Sequence, residues 1–92
     1  MPVIKAGIFF MYYTYILKSK IKDRFYIGSC ENLTLRLEKH NSGNSRSTKA
    51  YIPWEIVYYE EYTTKSEAIK RENALKRIKN KIILQSIINK EI

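Results

Sequence analysis

Two segments rich in β-forming residues, separated by a short, mostly polar stretch, constrain the fold more than any other feature of the sequence. Residues 11–18 (MYYTYILK) and 24–29 (RFYIGS) are dense in aromatic and β-branched side chains, and Ser19–Asp23 between them is of hairpin length. The pattern predicts an antiparallel hairpin. Tyr13, Tyr15 and Leu17 then share one face of the first strand, and Tyr26 and Gly28 share one face of the second. Paired tyrosines are ordinary sheet packing. Gly28 is less ordinary, because glycine within or ending a strand weakens it and often marks a bulge or a place where a ligand approaches the backbone.

The rest of the chain reads as alternating helical and extended segments. Between Glu31 and Asn41, Asn32 is placed to cap a helix, Leu33 and Leu37 lie one turn apart, and Gly43 follows as a terminator. Residues 42–53 are polar and predict an exposed basic loop, after which Trp54–Tyr62 forms a third strand. Thr64 and Glu67 match a capping box, and apolar residues at 68, 69, 75 and 78 carry a second helix to about Lys79. Lys81–Asn89, with Ile82, Ile83, Leu84, Ile87 and Ile88, predicts a third helix packed back on the sheet. The order β-β-α-β-α-α makes an α+β fold, a small three-stranded antiparallel sheet flanked by helices.

Ninety-two residues support one core, since a chain of this length buries only roughly 60–65% of its unfolded surface. A hydrophobic fraction of 45% argues for a folded globule rather than a disordered chain. We expect a single domain over residues 11–92. Residues 1–10 are expected to be an extension outside the core, or to follow a start assigned too early, and carry no assigned role. The apolar stretch from Ala6 to Leu17 is too short for a membrane span, lacks a small-residue cleavage site, and its tyrosines fit a strand better. The lone Cys30 cannot form an internal disulfide and no Cys/His cluster has zinc-ligand spacing, so a reducing compartment, the cytoplasm, is the simplest expectation.

Seventeen Lys and Arg against nine Asp and Glu leave a net charge of +8, which points to a polyanionic partner. Nucleic acid and an anionic membrane both qualify. A membrane-surface protein needs a basic amphipathic helix with bulky aromatics on its apolar side, and the basic run from Lys65 to Lys81 lacks them. A solvated basic face with no specific role explains that run equally well.

Three side chains sit badly in an apolar pattern. On a helical wheel Ala68, Ile69 and Leu75 share a side, and Glu72 falls between Ala68 and Ile69. A carboxylate there must be neutralised, paired with a cation such as Arg36, or bound to a metal ion. In the first helix His40 lies one turn beyond Leu37 on the same face, and Arg36 borders that face. A histidine so placed is more often a hydrogen-bonded core residue, and an arginine at a stripe edge usually reaches to water.

These oddities fall into one pattern. The chain resembles the GIY-YIG nuclease family over about residues 11–80, in particular its small stand-alone bacterial branch, similar to the nuclease domain of the excinuclease C subunit. Tyr26-Ile27-Gly28 reads YIG. Tyr13-Thr14-Tyr15 occupies the GIY element and keeps only its final tyrosine, Tyr15. Arg36 follows Tyr26 by ten positions, where the family has an arginine, and His40 stands where it has His or Tyr. Glu72 falls in the metal-binding helix. Segments 38–43 and 66–76 also resemble stretches of that branch. The leading Gly-Ile is absent, Ser29 stands where some relatives have lysine, and Asn80 and Asn89 are the candidates for a late asparagine near the metal.

The resemblance implies a DNA endonuclease that hydrolyses phosphodiester bonds, selective for DNA structure, acting in repair or recombination. It implies Tyr15 as the base with Tyr26 orienting water, Arg36 on the phosphate, His40 as a phosphate contact or positioning group, and Glu72 holding Mg2+ or Mn2+. A single carboxylate can suffice, because such a cation keeps several waters and binds substrate oxygens as well. Phosphates of the nucleic acid would meet the basic loop at Arg46 and Lys49, the backbone at Gly28, and the second helix at Lys70, Arg71 and Arg77. Phosphate contacts give affinity without base specificity, so the choice of substrate would fall to DNA structure or to a partner protein. DNA and RNA both remain open as the polymer. The alternative is a non-catalytic nucleic-acid-binding module with the same fold.

Overall fold

A computed structural model describes residues 11–90 of the chain, so the expected extension at 1–10 lies outside the described residues. Strands β1 (Tyr12–Ser19) and β2 (Phe25–Cys30) form the antiparallel hairpin, followed by helix α1 (Leu33–Asn41). A short 3-10 turn at Lys49–Tyr51 precedes strand β3 (Trp54–Tyr62), and helices α2 (Lys65–Lys76) and α3 (Lys81–Asn89) complete the described chain. The order is the expected β-β-α-β-α-α, and the three strands form an antiparallel sheet with β1 in the centre, between β2 and β3.

The central position of β1 explains why Thr14, Tyr15, Ile16 and Leu17 are all buried, where a strand with one wet face would alternate. Tyr15 and Leu17 face a first cluster with Cys30 and Trp54, against which Leu33 and Leu37 of α1 pack. Ile16 faces a second cluster with Ile27, Leu75 of α2 and Leu84 of α3, joined by Ile78, Ile87 and Ile88. The sheet is thus a middle layer, with α1 on one face and α2 and α3 on the other. Thr14 is the polar member of the buried run, and its hydroxyl is satisfied by donating to the Ala68 carbonyl at 2.7 Å.

The caps fall where the sequence puts them. Asn32 Oδ1 accepts the Leu35 amide, Thr64 accepts the Glu67 amide, and Gly43 beyond α1 takes a φ of +85°, which favours glycine. Three expectations need correction. Helix α2 stops at Lys76 rather than near Lys79, because Asn80 adopts an extended backbone to cap α3 and Ile78 turns into the second cluster. Ile69 is 39% exposed, since Ala68 and Leu75 alone fill the narrow buried stripe of α2. The basic loop at 42–53 is anchored rather than wholly exposed: Thr48 is buried at 1% exposure, and its carbonyl accepts from Trp54 Nε1 at 3.0 Å.

Leu75 ties α2 to the sheet and is fully buried. Leu75→Ala should lower unfolding free energy by about 2–5 kcal/mol in urea titration, through lost transfer energy and the cavity left behind.

Candidate active site

Tyr15 lies opposite Gly28 in the β1–β2 ladder. A Cβ at Gly28 would stand 2.5 Å from the Tyr15 hydroxyl and 2.7 Å from its Cζ, so the ring occupies the space a side chain would need. The sequence reading puts Gly28 among backbone contacts to nucleic acid. On the face where its side chain would point, Gly28 is instead covered by Tyr15, and its missing side chain makes room for that ring.

Around Tyr15, α1 and the following loop assemble a buried polar line. The Tyr15 hydroxyl is 3.4 Å from His40 Nε2, and His40 Nδ1 is 3.0 Å from the Thr48 hydroxyl. Thr48 in turn reaches the Ser45 carbonyl at 3.5 Å. All are satisfied when Thr48 donates to Ser45, His40 Nδ1–H donates to Thr48, and Tyr15 donates to Nε2. Burial lowers the His40 pKa below its ordinary value, and the Arg36 and Lys39 charges push the same way, which favours the neutral ring this arrangement requires. The Tyr26 ring packs on His40 with centroids 4.7 Å apart. Tyr26 is half-buried, whereas Tyr15 is 1% exposed. Burial raises the Tyr15 pKa far above the usual phenol value despite the opposing Arg36 guanidinium beside it.

Gly28 and Ser29 point to opposite faces of the sheet, and because β2 is an edge strand the polar line can pass round it. Arg36 projects from α1 beside the Tyr15 phenol, and its Nη1 lies 3.5 Å from the Ser29 carbonyl. Across the edge, the Ser29 hydroxyl donates to Glu72 Oε1 at 2.7 Å, and Lys76 Nζ lies 2.7 Å from Glu72 Oε2. The line therefore runs from Thr48 through His40, Tyr15, Arg36 and Ser29 to Glu72 and Lys76. Of the alternatives open to Glu72, pairing with a cation is the one present, and the cation is not Arg36 but Lys76 one turn along its own helix, with the Glu72 side chain 17% exposed. The sequence reading gives no role to Thr48, notes Ser29 only as a departure from a lysine, and includes Lys76 only within a resembling segment. The polar type of the residue after Gly28 was visible, but nothing in the pattern linked Thr48 to His40.

The remaining expected residues are dispersed. Arg46, Lys49, Lys70 and Arg77 are exposed. Arg71 is not free for phosphate: Nε lies 3.0 Å from Glu60 Oε1 and Nη2 lies 3.2 Å from Glu60 Oε2, while Tyr58 and Tyr62 also donate to that carboxylate. Burial pushes the Glu60 carboxyl up, but these hydrogen bonds outweigh it and hold its pKa below the ordinary value. Asn80 spends its side-chain oxygen on the Ile82 and Ile83 amides at the start of α3, and Asn89 accepts from Gln85 near the end of that helix. Beside the polar line, a cleft of about 430 Å3 opens between α1 and α2, with Ser29 and Arg36 in its wall.

Among the described residues no group of three or more His, Cys, Asp or Glu side chains could hold a metal ion. Glu72 is the one carboxylate on the polar line. Each of its oxygens accepts one protein bond and keeps a further lone pair, and one half-buried carboxylate suits a hard cation that retains water.

The sequence profile described as the GIY-YIG catalytic domain matches residues 11–86. The chain belongs to the GIY-YIG family. A UPF0213 protein of Staphylococcus epidermidis is 42% identical over 66 residues, covering 71% of this chain and 79% of that protein. A UPF0213 protein of Staphylococcus aureus is 41% identical over the same shares. The solution NMR structure of a UPF0213 protein from Bacillus halodurans superposes with a TM-score of 0.51 at 27% identity, covering 84% of this chain and 82% of that one. These similarities set the chain in the small branch of this nuclease family and support a nuclease-type function. No helix among the described residues is long and apolar enough to cross a membrane.

Two outcomes follow from this GIY-YIG site. Gly28→Ala should cost about 1–3 kcal/mol of stability by displacing Tyr15, and a double-mutant cycle should show a smaller cost in a Tyr15→Ala background. His40 has a folded pKa below its unfolded one, so its contribution to stability is full above about pH 6.5 and is lost as pH falls through the folded value. The melting temperature should therefore drop between pH 7 and pH 5, and His40→Gln should flatten that part of the profile.

Proposed function

We propose that this protein is a metal-dependent DNA endonuclease that hydrolyses phosphodiester bonds. The observation that carries the reading is the polar line from His40 through Tyr15, Arg36 and Ser29 to Glu72, which brings groups from β1, β2, α1 and α2 together at the edge of β2. Arg36 offers a permanently charged, planar donor set to a phosphate whose oxygens gain negative charge during the reaction. Mg2+ or Mn2+ held by Glu72 would supply Lewis-acid stabilisation of that charge. Lys76 is no obstacle, since its own side chain is 50% exposed and its ammonium can turn to water.

The accessibility of the two tyrosines supports exchanging their roles relative to the family-based expectation. Tyr15 is sealed from water and its burial opposes ionisation, so its part is to position Arg36 and His40. The half-buried Tyr26 is the group that can meet a water molecule and take its proton. His40, held neutral and fixed by Thr48, orients the Tyr26 ring it packs against.

Arg46, Lys49, Lys70 and Arg77 would bind phosphates without reading bases, leaving site choice to DNA structure or to a partner protein. A role in repair or recombination suits such selectivity. The non-catalytic binding module draws support from the Glu72–Lys76 pair, which compensates the carboxylate without any metal.

The deciding measurement is cleavage of labelled branched, nicked and linear DNAs with Mg2+ or Mn2+. EDTA and Glu72→Ala should each abolish cutting, and Arg36→Ala should slow it by about 10²–10³-fold. Metal-free binding that survives Glu72→Ala, with no cutting on any substrate, would establish the non-catalytic module instead.

A further inference from the structure

Hydrolysis at Arg36 and Glu72 leaves the neighbouring cleft unexplained. Its volume of about 430 Å3 lies within the range of small-molecule sites. Tyr12 at the start of β1 gives it a half-buried aromatic wall, and Leu35 and Ala68 add apolar surface from the two helices. Arg36 and Lys39 from α1 and Lys65 from the first turn of α2 bring three cations to it, against the single exposed carboxylate of Glu31. Leu35 and Lys39 are one helical turn apart, and Arg36 and Lys39 three residues apart, so α1 presents apolar and basic groups to the same space. A simple anion has no use for the aromatic and apolar walls, and an apolar ligand has none for the cations. A nucleotide uses both, its base against the ring and its phosphate on the cations.

We propose that this cleft binds the nucleotide adjacent to the scissile phosphate, with its base turned out of the strand onto Tyr12 and its phosphate held by Lys39 and Lys65. The flanking position rests on the phosphodiester-hydrolysis reading, because Arg36 belongs to both the cleft and the polar line. A paired nucleotide reaches such a cleft only by leaving the stack, whereas a nucleotide at a mismatch, nick or junction is already partly free. The cleft is thereby a physical source of selectivity for distorted or single-stranded DNA.

The test is an amide NMR titration of the full chain, without metal, with 2′-deoxyadenosine 5′-monophosphate, 2′-deoxyadenosine and inorganic phosphate in parallel. The nucleotide should perturb amides around Tyr12, Glu31–Asn32, Leu35, Lys39 and Lys65–Ala68, and bind more tightly than either fragment. Lys65→Glu and Lys39→Glu, both at exposed positions, should each weaken it by about fivefold to tenfold. Phosphate alone matching the nucleotide, or shifts spread evenly over Arg46, Lys49 and Lys70, would overturn the proposal. Because this readout needs no cleavage, an active nuclease that fails to bind the nucleotide sinks the cleft alone, and an inactive chain that binds it sinks the nuclease reading and the flanking position while leaving the nucleotide cleft standing.

Discussion

The packing of the Tyr15 ring over Gly28 is the contact on which the rest of the site depends. β1 is central and covered on both faces, so each of its side chains from Thr14 to Leu17 must fit a preformed space. An aromatic ring pointing across the neighbouring strand fits only where that strand has no side chain, and Gly28 is its partner in the ladder. With the ring so placed, the phenol hydroxyl meets His40 on one side and the Arg36 guanidinium on the other. The glycine works by omission.

The edge position of β2 is the second constraint. In a strand flanked on both sides, alternation would separate groups above the sheet from groups below it. At an edge, the Ser29 backbone carbonyl faces outward to Arg36 while its hydroxyl turns to the α2 face and Glu72. One residue couples two layers that the sheet otherwise divides. This also explains how a fold with a thin core assembles candidate groups from β1, β2, α1 and α2 without a deep interior cavity.

The surplus of positive charge is unevenly committed. Arg71 is locked to Glu60 by two nitrogens, Lys76 leans on Glu72, and Lys81 holds Asp23, whereas Arg46, Lys49, Lys70 and Arg77 stand exposed. Net charge predicted a polyanionic partner, but only the pairing pattern separates cations available to a ligand from those that hold the fold. Arg36, Lys39 and Lys65 form a further group that converges on a cleft rather than on an open surface.

Much of this protein was legible in its sequence. The hairpin, the strand Trp54–Tyr62, the helix Lys81–Asn89 and the caps at Asn32 and Thr64 follow from local rules of side-chain periodicity and hydrogen bonding, which need no knowledge of distant residues. Tyr15, Tyr26, Arg36, His40 and Glu72 were singled out by resemblance to the GIY-YIG family, and of these only Arg36, His40 and Glu72 also stood out as polar groups in or beside apolar stripes. What the sequence could not decide is which partner each of these groups meets. Glu72 has Lys76 four residues away and Arg36 thirty-six away, and periodicity does not rank them; the packing of α2 against β2 gave the carboxylate to Ser29 and Lys76. Likewise Thr48 lies in a stretch that reads as loop, and only closure of the chain onto Trp54 buried it under His40. Local order is written in neighbouring residues, whereas burial, and with it the protonation of Tyr15 and His40, arises only when strands and helices from the whole chain exclude water together.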